Sequence, residues 1–137
     1  MQHWLLKTEP DEFPWADLRA AGKPGETWDG IRNHQAAGFL RQMRRRDQAF
    51  IYHTGKERRI VGIGEIVGEH FPDASDESGR FIAVRVRALA PLARPVTLDE
   101  MKADRVFAAC LLLRQSRLSA MPISAHEWQR VLALAAT

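Results

Sequence analysis

The chain has 137 residues, 45% of them hydrophobic, a formal net charge of +3 and a single cysteine. That length suits one domain, residues 1–137, able to bury roughly two-thirds of its unfolded surface, so neither a disulfide nor a metal staple is required. No apolar run approaches the ~18 residues that a membrane span needs, and no basic-then-apolar leader opens the chain, which predicts a soluble, cytoplasmic protein; a monomer is expected.

In chain order, Trp4 to Lys7 reads as a first strand and Pro14 to Leu18 as a short helix with proline near its first turn. The run Trp28-Asp29-Gly30-Ile31-Arg32-Asn33-His34-Gln35-Ala36 then brings together an indole, a turn glycine, a guanidinium and two amides, a mixture suited to the face and edge of a flat polar ligand. Asn33 reads as the cap of a helix running to about Arg45, because Ala36, Phe39, Leu40 and Met43 recur at helical spacing. The polar cluster thus falls at a helix N-terminus, where free N–H groups favour an anion. The same residues also read as a core anchor (Trp28), a plain cap (Asn33) and a solvated first-turn residue (Gln35).

Ala49 to His53 is a second strand, and Arg59 to Val67 a third whose Gly62 and Gly64 suggest tight coiling or close approach of another backbone. Glu65 shares a face with Val61, Ile63 and Val67, which predicts a half-buried carboxylate paired with an arginine at a sheet edge. A polar loop spans Pro72 to Gly79. From Phe81 to Ala88, Ile82, Val84 and Val86 alternate with Arg85 and Arg87, a half-buried strand.

Two capping boxes, Thr97 to Glu100 and Ser124 to Glu127, mark helix starts in the last third. Trp128, Val131, Leu132 and Ala135 share one face of the final helix, which assigns Trp128 to the core. Leu111 to Gln115 is expected as a late strand with Arg117 and Ser119 just beyond it. Cys110, inside the apolar run Ala108 to Leu113, reads as a buried and inert thiol. Short strands interspersed with helices define an α+β domain built on a small curled sheet or barrel.

Charge is unevenly spread. Between Gly30 and Ile63 eight basic residues (Arg32, Arg41, Arg44, Arg45, Arg46, Lys56, Arg58, Arg59) face two acids, Asp47 and Glu57. Such a patch suits nucleic acid, and equally a solvated helix end and loop. Metalloprotease, nucleophile-elbow, paired-cysteine and phosphate-loop motifs are all missing, so no metal or cofactor is expected. His34 and His53 remain candidates for acid–base chemistry.

His3-Trp4-Leu5-Leu6-Lys7-Thr8-Glu9-Pro10, the run from Trp28 to Ala36, Phe50-Ile51-Tyr52-His53-Thr54, and Arg117-Leu118-Ser119 followed by Pro122 resemble, in order, the motifs of the EVE domain family within the PUA-like superfamily. Thr8, Thr54, His34 and Ala37 depart from the usual residues. The resemblance implies a PUA-like barrel of five or six strands flanked by helices, and a non-catalytic module that reads a modified base, such as a modified cytosine, in DNA or RNA. It implies a ligand pocket of Lys7, Thr8, Trp28, Arg32, Asn33, Gln35, Tyr52, His53, Arg117 and Ser119. Trp28 would stack on the base, and Arg32, Arg41, Arg44, Arg45 and Arg46 would contact phosphate. The competing expectations are an RNA-processing or nucleotide-hydrolysing enzyme using His34 or His53, and a partner-binding scaffold.

Overall fold

The computed structural model describes residues Met1–Thr137. Its strands are β1 (His3–Thr8), β2 (Glu26–Trp28), β3 (Gln48–His53), β4 (Arg59–Pro72), β5 (Ile82–Thr97) and β6 (Ala120–Ile123). The helices are α1 (Trp15–Ala20), α2 (His34–Gln42), α3 (Leu98–Lys102), α4 (Leu111–Arg114) and α5 (Ala125–Ala135), with one 3₁₀ turn at Arg105–Phe107. The strands form one mixed sheet in the order β2-β5-β4-β3-β1-β6, with β1 and β3 parallel and every other pair antiparallel. The fold is α+β as expected, but β2 and β6 do not pair, so the curled sheet is not closed by hydrogen bonds into the expected barrel. No helix is long and apolar enough to cross a membrane.

Curling comes from the long β4–β5 pair, whose register shifts at four places; each bulge bends and twists the ribbon further. Strand β5 continues to Thr97, well past the predicted end at Ala88. Pro91 and Pro95 look like strand breakers in the sequence. They are tolerated because β2 covers only Val84 to Val86, leaving the rest of β5 with β4 as its single neighbour. The expected strand at Leu111 to Gln115 is instead the one-turn helix α4, and the late strand is β6, paired with β1. A leucine run without β-branched residues favours helix, while Pro122 is accepted on the sheet edge.

Short-range signals hold up better. Both capping boxes are closed, by Thr97 with Glu100 and by Ser124 with Glu127. Trp128 is 3% exposed and stacks on Phe50 with ring centroids 3.7 Å apart. Met43 is buried as its spacing implied, although α2 ends at Gln42 and Met43 is already extended. Cys110 is buried, and desolvation pushes its thiol up to about 11, consistent with inertness. Glu65 pairs with Arg87 at 2.7 Å, but Glu65 itself is interior, flanked by Gln48 of β3 and Arg87 of β5.

Gly62 is approached by a side chain, not by another backbone: a Cβ there would lie 2.6 Å from the Trp15 indole. Gly62→Ala therefore displaces Trp15, and we expect a loss of about 1–2 kcal/mol in chemical denaturation, the usual scale for overpacking.

Candidate functional site

A cleft of about 660 Å³ lies between the two free edges of the curled sheet. Lys7 and Thr8 reach it from the end of β1, Arg117 and Ser119 from the approach to β6, and Trp28 to Asn33 from the end of β2 and the turn into α2. Its apolar side is Phe13, Trp28 and Ile31, with Phe13 set edge-on to Trp28 at 6.0 Å. Trp28 is 7% exposed, so it forms part of the cleft wall while also anchoring the core. The remaining lining is mixed in charge, with Glu9, Glu12, Glu26 and Asp29 against Lys7, Arg32 and Arg117.

Asn33 has the double character that its sequence context suggested. Its Oδ1 accepts from the Ala36 N–H at 2.9 Å, capping α2, while its amide NH2 makes no bond within the chain and remains a free donor at the cleft. Gln35 is exposed on the first turn and does not line the cleft.

Arg32 lines the cleft but is committed: its guanidinium binds Asp73 at 2.9 Å and Ser75 at 3.1 Å, and lies 5.4 Å from the Phe81 ring. Asp73, with a side chain of 0% exposure, also accepts from the Gly30 N–H and from the N–H and hydroxyl of Ser75. Burial alone would raise its pKa; the bonds from Ser75, Gly30 and Arg32 outweigh that and hold the carboxyl well below the ordinary carboxylate range. The 73–81 loop is thereby clamped to the Gly30–Arg32 segment of the cleft. His34 stacks on Phe81 from the same side, at 5.1 Å.

Tyr52 and His53 lie beside the cleft rather than in its lining. In the β1–β3 register Lys7 is opposite Tyr52 and Thr8 opposite His53. Lys7 Nζ sits 5.8 Å from the Tyr52 ring and donates to the Ser116 carbonyl at 2.9 Å; burial lowers the Lys7 pKa. Burial raises the Tyr52 phenol, with the Arg58 charge opposing and Asp99 adding to it. His53 Nε2 accepts from the Trp15 N–H at 3.0 Å, so Nδ1 carries the ring proton and donates to Glu57 at 2.9 Å. Nε2 thus holds the start of α1, while Nδ1 ties the ring to Glu57 in the turn beyond β3. That hydrogen bond, followed by the one from Arg59, lowers the Glu57 pKa.

The Arg41–Arg46 cluster is not at the cleft. Helix α2 carries the chain about 14 Å away from Asn33, and Arg44, Arg45 and Arg46 line a separate depression with Met1, Gln2 and the buried Asp47. Asp47 builds that turn by accepting from the Gln2 and Arg44 N–H groups and from the Trp4 indole. The Arg44 guanidinium donates to the Arg41 and Met43 carbonyls, closing the C-terminus of α2.

Sequence reasoning missed Glu9, Glu12, Phe13, Glu26, Thr27, Asp29, Gly30 and Ile31 as lining, and Asp73 as the clamp. Glu9 stands inside the motif that opens the chain, and Asp73-Ala74-Ser75 has the spacing of an Asx turn, which was the available signal.

An open, curled six-stranded sheet with a polar cleft between its edges defines a PUA-like α+β domain. The chain belongs to the EVE domain family, whose model matches residues 2–134. Thymocyte nuclear protein 1 of Rattus norvegicus is 32% identical over 164 residues, covering 96% of this chain and 73% of the relative. Among solved structures, a protein of Rhodopseudomonas palustris superposes with a TM-score of 0.93 at 43% identity, covering 99% of this chain and 94% of the other. The human THYN1 protein, solved in complex with 5-methylcytosine containing DNA, superposes with a TM-score of 0.89 at 30% identity, covering 100% and 99%.

Proposed function

We propose that this chain binds a modified nucleobase, 5-methylcytosine or a similar base, of a DNA or RNA strand in the cleft between the sheet edges, without catalysing a reaction. A base extruded from its stack needs an aromatic wall and polar groups for its edge. Phe13 and Trp28 supply the wall. The Asn33 amide donates to a ring or carbonyl acceptor, Ser119 and Arg117 line the same cleft, and Glu9, Glu12 and Asp29 are acceptors suited to an exocyclic amine. The observation that carries this reading is the free Asn33 donor at the mouth of an otherwise satisfied helix cap. The human relative's complex with methylated DNA supports the ligand class. Hydrolysis at His53 has no geometric support, because both ring nitrogens are engaged, and His34 is stacked on Phe81 outside the cleft lining.

The test is fluorescence anisotropy with methylated and unmethylated cytosine in the same short oligonucleotide. One methyl group in an apolar niche is worth on the order of 1 kcal/mol, so a preference of about five- to tenfold is expected. Asn33→Asp keeps the capping oxygen and removes the donor, so its thermal midpoint should stay near wild type while base affinity falls by about 2 kcal/mol. Gln35→Glu, away from the cleft, should change neither. Wild-type affinity in Asn33→Asp would make the amide purely structural.

A further inference from the structure

The basic run between Gly30 and Ile63 divides into two clusters at opposite ends of β3, and only one adjoins the cleft. Arg44 to Arg46 precede β3; the turn from Thr54 to Arg58 follows it, at the end where β1 delivers Lys7 and Thr8. Five residue steps of parallel strand, roughly 17 Å, separate the two ends. The link between hairpin and cleft is direct, since the Thr54 N–H and hydroxyl donate to the Thr8 carbonyl at 3.0 and 3.3 Å. Arg58 is also near enough to act on the phenol of Tyr52, the ring over which Lys7 lies.

Within this hairpin the charges are unequally committed. Glu57 is taken by His53 and Arg59, whereas Lys56 and Arg58 are exposed and their side chains have no hydrogen-bonding or ion-pair partner; Asp99 is the carboxylate whose charge also reaches Tyr52. Arg58 has a φ of 46°, fixed by the bond from the Leu98 N–H to its carbonyl at 2.9 Å. Glycine or asparagine suits that left-handed backbone better, so the arginine can be replaced there without backbone strain. Inside the cleft, four carboxylates disfavour phosphate. A strand whose base enters must therefore lay its backbone along the rim.

We propose that Lys56 and Arg58 of the β3–β4 hairpin, together with Arg117 beyond Lys7, form the rim that holds the phosphates of the nucleic-acid strand whose base occupies the cleft. The surface is electrostatic and reads no sequence, and its assignment to that strand rests on the base-binding reading above. The Arg44–Arg46 turn lies outside it.

Two left-handed arginines make a matched test, because Arg46 has a φ of 76° at the other end of β3. Glycine adopts either position without strain, so neither Arg58→Gly nor Arg46→Gly removes a needed conformation. The full-length chain is titrated with a 5-methylcytosine oligonucleotide and its unmethylated twin over a salt series. Arg58→Gly combined with Lys56→Gln is expected to weaken both about tenfold at low salt, to lower the slope of log affinity against log salt by about 0.7 for each phosphate left without its cation, and to leave the methyl preference intact. Arg46→Gly should keep the wild-type affinity and slope. A hairpin variant with wild-type slope, or a slope reduced in Arg46→Gly instead, overturns the rim. If wild type shows no methyl preference while its slope still depends on the hairpin, the base reading falls and the phosphate rim stands. A methyl preference with a hairpin-independent slope has the opposite meaning.

Discussion

Trp28→Ala is expected to lower folding stability by about 3–5 kcal/mol, the scale for emptying a buried aromatic site, and to remove measurable base binding at the same time. Trp28 is 7% exposed, meets Phe13 edge-on, and ends the strand that closes one side of the cleft. A simple stacking platform would give a different pattern, with affinity lost and stability kept. Chemical denaturation separates the two, and Trp28→Phe completes the test. Phenylalanine retains most of the buried area, so that variant should fold and keep part of the affinity. A stable Trp28→Ala protein would mean that the indole is not an anchor of this wall.

Asp73→Ala should cost about 2–4 kcal/mol, because it removes the buried carboxylate that accepts charge-assisted bonds from the Gly30 and Ser75 N–H groups and pairs with Arg32. It should also loosen the Gly30–Arg32 segment and weaken base binding, although Asp73 does not line the cleft. The pH dependence has a definite sign. The folded carboxyl titrates below its unfolded value of about 3.9, so its stabilisation is fully present above that value and is lost as pH falls through the folded pKa. Wild type should therefore lose stability relative to Asp73→Ala as pH is lowered from about 4. A constant difference between the two across pH 2–5 would show that the carboxylate is not the clamp.

What the sequence made legible was local. Capping boxes and the Asn33 cap depend on a three-residue spacing, and each formed where it was read. The motif order brought Lys7, Thr8, Trp28, Asn33, Arg117 and Ser119 to one cleft from three segments of the chain. Proximity in sequence misled elsewhere. Gln35 is two residues from Asn33, yet those two steps into the helix turn it away from the cleft; Arg41 to Arg46 follow the same motif, yet α2 carries them away from it. His53 neighbours the cleft through Thr8 but is spent on Trp15 and Glu57. The Asx turn at Asp73 was local and readable, but its clamp was not, because its partners Gly30 and Arg32 are 43 and 41 residues away.

The most direct test of base binding in the cleft is a nitrogen–proton NMR titration of the chain with an oligonucleotide carrying one 5-methylcytosine. The Asn33 side-chain amide and the backbone amides of Thr8, Gly30 and Ser119 should shift together and saturate with a single Kd, while those of Gln2 and Arg44 to Asp47 stay in place. Shifts confined to the Gln2 and Arg44 to Asp47 depression, with the Asn33 amide unmoved at saturation, would contradict it.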